Sequence, residues 1–365
     1  MKSARRRAAS PNGSSAEVAG IRSVGGAFAP ASIGPQALTL GAGLAGGGVL
    51  AWFGVPAGWL SGAMIGVGIL AAAGKAAPLA NPLRELAIIL SGLALGSGVN
   101  PTALAALGRY PVSLSIMAVA LAAMTAASYA VLRRTPGFSH ATALFSAAPG
   151  ALSYVFIMAS QSSADPARVA IIQIFRIFVL MALVPIVAAH SAPGGALAYR
   201  LDPVWMTVML FGAAFAVGKL LEKTGVAASA LYAAIAISGL AHATGWAPGR
   251  MAIGPQTITQ TLVGAWIGAR LIGFDWSLMR RLMLAAATSF LAAFAAAAAF
   301  AWAVSVLIKA PFAEALVAFA PGGLEAMTMM AFALGLDPLF VGSHHFARFM
   351  LISVGLHVTR RMSRS

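Results

Sequence analysis

Beyond residue 36 the chain is a series of apolar stretches separated by short polar joints or joints rich in glycine and proline. Twelve can be marked, at 37–53, 58–74, 85–99, 111–132, 140–162, 167–189, 203–218, 226–243, 254–272, 283–308, 312–335 and 339–358. Most are long enough for a helix that reaches across, or most of the way across, a bilayer core of about 30 Å. Two of them carry a breaker at their centre. Residues 147–152 read AAPGAL inside 141–159, and 320–324 read APGGL inside 312–335. Proline lacks an N–H and clashes with the preceding turn, so a helix is expected to break at Pro149-Gly150 and at Pro321-Gly322. Opened backbone at membrane depth is tolerated only where protein buries it or where it lines a cavity.

The two breakers share a register. Residues 148–186 superpose on 320–358 without a gap at an offset of 172, with ten of 39 positions identical, among them the Pro-Gly pair, Asp165/Asp337, Pro166/Pro338 and Arg176/Arg348. The same offset superposes Gly92-x-x-x-Gly96 on Gly264-x-x-x-Gly268. This predicts an internal duplication, with a repeat at 36–189, a linker at 190–202 and a second repeat at 203–358. Residues 1–35 read as a disordered basic cytoplasmic tail, and 359–365 as a basic C-terminal tail.

Charge decides the orientation. If both breaker segments crossed the membrane, Lys219, Lys223, Arg270, Arg280 and Arg281 would face outward, against the positive-inside rule. If each breaker segment instead enters and leaves by one face, each half has five crossings and the second half is inverted. Eighteen of the 24 Lys and Arg then lie inside; only Arg109, Arg200, Arg250 and Lys309 lie outside, and Arg176 and Arg348 lie within helices. The expected fold is an all-α membrane protein of two inverted repeats. Each repeat has about five transmembrane helices plus one re-entrant or broken helix, an arrangement typical of transporters. The expected setting is the inner membrane, multi-pass, with both termini inside.

Composition fits this picture: 60% of the 365 residues are hydrophobic and 9% are charged. The net charge of +15 therefore reads as membrane orientation rather than nucleic-acid binding, and no loop after residue 36 is long enough for a DNA-reading domain. The absence of cysteine excludes disulfides and thiolate metal sites. No cofactor is expected. Membrane lipid and a small-molecule or ion substrate are the expected partners, and a homo-oligomer is left open.

The duplicated APG-x-L … DP … R pattern, with GWLSGAMIG at 58–66, resembles the AbrB family of integral membrane proteins, members of which are also catalogued as ammonia monooxygenases. The resemblance covers roughly 36–358. It implies a fold related to cation–proton antiporters and bile-acid-type carriers. The family is also labelled a regulator of gene expression and is distinct from the soluble DNA-binding proteins that share its name. The second copy of the PAGWLSG element is reduced to Gly225-Val-Ala-Ala-Ser-Ala, which confines any role of that element to the first half.

Arg176 and Arg348 are the foremost candidates for substrate binding. Each lies ten residues beyond the proline of its Asp-Pro pair, about 15 Å along a helix, where an ionisable group is costly. A guanidinium grips carboxylate or phosphate with a planar fork. The alternative is a structural arginine that caps hairpin carbonyls or pairs with a buried acid. Gln173 and His345 share one repeat position, three residues before each arginine and on the same helix face. Glu325 stands where the first copy has Ser153, either as a proton-carrying carboxylate or as the counter-ion of Arg348. Asp165 and Asp337 read as helix caps, and the GxxxG pairs as packing sites.

Three functions compete on sequence alone: a secondary transporter of a small anion, a membrane regulator acting indirectly on gene expression, and an ammonia-oxidising enzyme. The third is disfavoured because the six histidines do not form a usual copper-ligand spacing. The protein is read as a non-enzyme.

Overall fold

The computed structural model describes residues 33–99, 108, 110–149, 152–191, 200–225 and 228–362, with the side chains of 152–154, 189–191, 325 and 353–362 left aside. Among these residues there are fourteen α-helices. The first seven are α1 (Ile33–Trp52), α2 (Gly58–Ala72), α3 (Asn81–Gly96), α4 (Tyr110–Arg133), α5 (His140–Ala147), α6 (Leu152–Ser160) and α7 (Pro166–Ser191). The next seven are α8 (Val204–Glu222), α9 (Ser229–Ala243), α10 (Ile253–Gly268), α11 (Trp276–Ile308), α12 (Phe312–Phe319), α13 (Leu324–Ala333) and α14 (Pro338–Met362). Strand pairing among the described residues is limited to an isolated bridge between Leu201 and Arg250.

Four described helices, α4, α7 up to Ala188, α8 and α11, are long and apolar enough to cross a membrane. On α11, Leu284, Trp302 and Val306 point outward into the surroundings, a cost in water that hydrocarbon removes. Helix α7 differs: 61% of its span is buried, against 22% for α4 and α11. It is therefore the inner helix of this set, and it carries Arg176.

The two groups of seven run through long and short helices in the same order. Gly54, Ala57 and Gly74 have positive φ, as do Gly225, Ala228 and Gly245, each pair shifted by 171 (228 less 57). A non-glycine residue in this region is strained, and here an alanine takes it at the same place twice, just before α2 and α9. From the residues before α3 and α10 onward the shift is 172: Ala80 (φ −57°, ψ 150°) matches Ala252 (φ −56°, ψ 152°).

Each apolar stretch with a breaker is a pair of short helices, α5–α6 and α12–α13, of eight to ten residues each. At 1.5 Å per residue such an arm spans about 12–15 Å, half of a bilayer core. Both ends of each pair lie together. Asp165 N, beyond α6, donates to Thr142 Oγ1 at the start of α5 (2.9 Å), and Asp337 N, beyond α13, donates to Glu314 Oε2 at the start of α12 (3.3 Å). Each pair is therefore a helical hairpin whose mouth is closed by the side chain at one repeat position, Thr142 or Glu314.

The mouths lie at opposite ends of α4. Arg133, its last residue, bonds Phe138 O on the way into α5 (2.8 Å), whereas Tyr110, its first, reaches Asp337 Oδ2 at the mouth of the second hairpin (3.5 Å). The 24 residues of α4 separate these ends by about 36 Å.

The groups of seven are joined crosswise. Gly92 and Gly96 of α3 lie against α9: a Cβ at either would come within 2.6 Å of the Ala234 or Ser238 Cβ. Gly264 and Gly268 of α10 lie against α2 in the same way, with Ala63 Cβ 2.9 Å from a Cβ on Gly264 and Met64 O 2.6 Å from one on Gly268. Both GxxxG pairs are thus packing surfaces, each facing the other half.

Three boundaries differ from the sequence reading. Helix α1 starts at Ile33, so residues 33–35 are helical rather than tail, with Pro35 in the first turn, where it is tolerated. At the other end α14 runs to Met362 and takes in Arg360 and Arg361, and α7 continues to Ser191 into the stretch assigned to a linker. Residues 1–32 lie outside the described residues.

Candidate functional site

The helices after each hairpin, α7 and α14, begin alike. Asp165 Oδ1 accepts from Ala167 N (3.0 Å) and Arg168 N (3.2 Å), and Asp337 Oδ1 accepts from Leu339 N (2.8 Å) and Phe340 N (3.2 Å). With a proline at the first helical position, this fixes where each helix starts and hence how deep its arginine sits.

Two turns further on, four buried side chains face the hairpin tips. Gln173, Arg176, His345 and Arg348 are all at most 3% exposed. Breaking the helices at Pro149 and Pro321 leaves the carbonyls of the preceding turns without helical donors. The four side chains supply them. Gln173 Nε2 donates to Phe145 O (2.8 Å) and Ala148 O (3.3 Å), and Arg176 Nη2 donates to Ala148 O (3.1 Å). In the second hairpin His345 Nε2 donates to Val317 O (2.9 Å), and Arg348 donates through Nη1 to Ala320 O (2.6 Å) and through Nη2 to Gly322 O. Phe145 and Val317, like Ala148 and Ala320, are counterparts at offset 172.

The partner of each arginine completes the pattern. Gln173 Oε1 accepts from Arg176 Nη2 (3.0 Å), and His345 Nδ1 accepts from Arg348 Nη2. A carbonyl can only accept, so the Val317 bond places the His345 proton on Nε2 and leaves a lone pair on Nδ1 for the arginine. Glutamine in one copy and histidine in the other therefore do the same work: a donor toward the hairpin carbonyl, an acceptor toward the guanidinium.

The capping geometry anticipated as one of two readings of the arginines is thus present at both. No ion pair joins either to a carboxylate among the described residues. Arg176 Nε, Ser146 Oγ on α5 and Thr328 Oγ1 on α13 are buried without a hydrogen-bond partner. Pro149 and Pro321 are both buried at the tips. Gly150 and the side chains of Ser153 and Glu325 lie outside the described residues, while Gly322 is held through its carbonyl by Arg348. His344 turns away from its neighbour: its Nδ1 bonds Phe340 O of its own helix (2.7 Å), and its ring meets Phe340 at 4.2 Å.

Single-residue inspection missed Thr142, Glu314 and the tip carbonyls. The signal was available in the 172 offset, which pairs Thr142 with Glu314 although the residue types differ.

A family model described as "Transition state regulatory protein AbrB" matches residues 59–363. A protein of Bacillus subtilis (strain 168) described as "Uncharacterized protein YhjN" is 26% identical over 336 residues, covering 84% of this chain and 88% of that protein.

Proposed function

The chain belongs to the AbrB family, and from that premise we propose that it is a secondary transporter of a small anionic solute, built as two inverted repeats in the inner membrane. The observation that bears most on this reading is the pair of buried arginines. Two buried guanidiniums, one at each hairpin tip and neither in an ion pair with a described carboxylate, are cationic groups whose cost of burial falls when an anion joins them. Each guanidinium has five N–H donors, and the tip carbonyls and neighbouring side chains take only some of them. The unpartnered Arg176 Nε, with Ser146 and Thr328 on the hairpins, supplies polar groups for an oxyanion.

The hairpins support the same reading. Their mouths lie at opposite ends of α4, so one opens toward each face, and crosswise GxxxG packing is the contact expected of two halves related by a pseudo-two-fold axis. In this reading the protein has ten crossings with both termini inside, and the described contacts agree. Lys219 pairs with Glu85 between two inner helix ends (2.8 Å), and Leu201 bridges Arg250 between two outer loops. The protein moves a solute and makes no bond.

The test is ligand binding followed by flux. Detergent-purified protein is scanned thermally with acetate, succinate, citrate and phosphate, and any stabilising anion is offered to proteoliposomes. A ligand at 100 times its Kd adds about 2.7 kcal/mol, well within reach of a thermal scan. The reading expects an anion that stabilises the protein and is taken up above empty liposomes. Failure of every anion in both assays contradicts it.

A second reading rests on the family model's printed description as a regulatory protein. It casts the chain as a membrane regulator acting indirectly on gene expression, and it expects altered expression on deletion with no flux.

A further inference from the structure

A second buried polar site lies away from the hairpin tips, where the ends of α3 and α9 meet the start of α8. Asp202 and His242 face each other there, with side chains 5% and 6% exposed and 3.4 Å between Asp202 Oδ2 and His242 Nε2. They border a cavity of about 10 Å³, the room of roughly one water-sized sphere, with Ser97, Thr207, Met206 and Met251 also on its wall.

The hydrogen bonds fix what this pair presents to the cavity. His242 Nδ1 lies 2.6 Å from Ser238 O, a carbonyl that can only accept, so Nδ1 carries a proton and Nε2 is the nitrogen turned toward Asp202. That nitrogen is fully buried and has no hydrogen-bond partner. Asp202 is held through its other oxygen, Oδ1, by Gly249 N (2.8 Å). The imidazole Nε2 and a carboxylate oxygen therefore converge on one small space, an arrangement held together only by a proton or a metal cation between them. Both have the outer-shell anchor typical of metal ligands, a backbone carbonyl on the imidazole and a backbone N–H on the carboxylate.

We propose that this cavity binds one divalent first-row metal cation of the borderline class, Zn²⁺ being the type case, bridging His242 Nε2 and Asp202 Oδ2. Two ligands about 2.0–2.1 Å from a metal at a tetrahedral angle stand about 3.4 Å apart, the separation found here. Among the described residues no group of three or more His, Cys, Asp and Glu gathers at one place, and the cavity holds a single sphere, so the remaining positions fall to the hydroxyls of Ser97 and Thr207 on the wall. Ser97 comes from the first group of seven helices, and Asp202 and His242 adjoin or belong to the second, so the cation sits at a junction between them. The proposal does not depend on the anion-carrier reading.

The test uses full-length protein in detergent, stripped with EDTA and titrated with zinc chloride by calorimetry. About one zinc per chain is expected, with affinity lowered at least tenfold by His242→Gln and by Asp202→Asn. The asparagine keeps the acceptor for Gly249, and thermal scans without zinc check that both variants fold. Should either misfold, X-ray absorption of zinc-loaded wild type decides: one imidazole with oxygen ligands supports the site, and no histidine in the shell overturns it. Absence of stoichiometric zinc binding, or binding unchanged in both folded variants, also overturns it and leaves a proton as the occupant of the pair.

Discussion

Replacing Arg348 with alanine is expected to destabilise the protein by about 2–5 kcal/mol, measured as a fall in the unfolding midpoint in detergent. The change leaves the carbonyl of Gly322 and the Nδ1 of His345 without their donor, and leaves Ala320 O with only its bond from Gly322 N (2.7 Å). An unpaired buried acceptor costs about 1–3 kcal/mol. Removing a buried charge returns part of this, which is why the range falls short of the full sum. Arg348→Gln separates the two roles. A neutral amide can still donate to one tip carbonyl, so stability recovers in part, whereas the proposed anion binding, which would depend on the charge, is expected to stay lost. His345→Gln is the control, since glutamine fills the equivalent place at Gln173 and is expected to leave the midpoint within about 1 kcal/mol of wild type. If Arg348→Ala were as stable as the parent, the carbonyl bonds would not be what holds the second hairpin.

Gly264→Ala is expected to cost about 1–3 kcal/mol, because the new methyl meets the Leu60 carbonyl oxygen and Ala63 Cβ on α2, and backbone cannot step aside as a flexible side chain can. Its counterpart Gly92→Ala meets Ala234 Cβ at 2.6 Å and Leu231 O at 2.9 Å, and the expected cost is similar. Both changes force apart the same two groups of helices, so the double variant should lose less than the sum. Gly41→Ala supplies the contrast. Nothing lies within 4 Å of its added Cβ, and helix propensity alone predicts a gain of about 0.5–1 kcal/mol. Equal effects of Gly41→Ala and Gly264→Ala on the midpoint would remove close packing as the reason for the GxxxG pairs.

Much of this fold was legible in the sequence because its physics is local. Apolar run length marks helices, and proline-glycine marks the two breaks, which the structure places at Pro149 and Pro321. The aspartate caps and the depth of each arginine followed from the Asp-Pro register. The correspondence around Ala57 and Ala228 was legible only as a reduced copy of PAGWLSG at Gly225-Val-Ala-Ala-Ser-Ala. There the shift is 171 rather than 172, and VPAGWL at 55–60 stands over VAASAL at 226–231, with the same strained backbone at Ala57 and Ala228. The one-residue change of shift hid the match from the 172 register, although Gly54, Val55, Ala57 and Leu60 recur as Gly225, Val226, Ala228 and Leu231. The role of Gln173 and His345 was half legible. Their shared position was plain, but the equivalence of an amide and an imidazole emerges only when both are seen between a carbonyl and a guanidinium. The Asp202–His242 pair was invisible, because its members stand forty residues apart and meet through the packing of three helices.

The central claim is that the two hairpins enter from opposite faces of the membrane, and cysteine accessibility tests it most directly. The chain has no cysteine, so single replacements report without background. Ser163 at the first mouth and Pro311 at the start of the second are both exposed. In intact cells and inverted vesicles treated with a membrane-impermeant maleimide, Ser163→Cys should label only from the cytoplasmic side and Pro311→Cys only from the outer side. Labelling of both from one side would contradict the inverted arrangement and, with it, the site proposed between the hairpins.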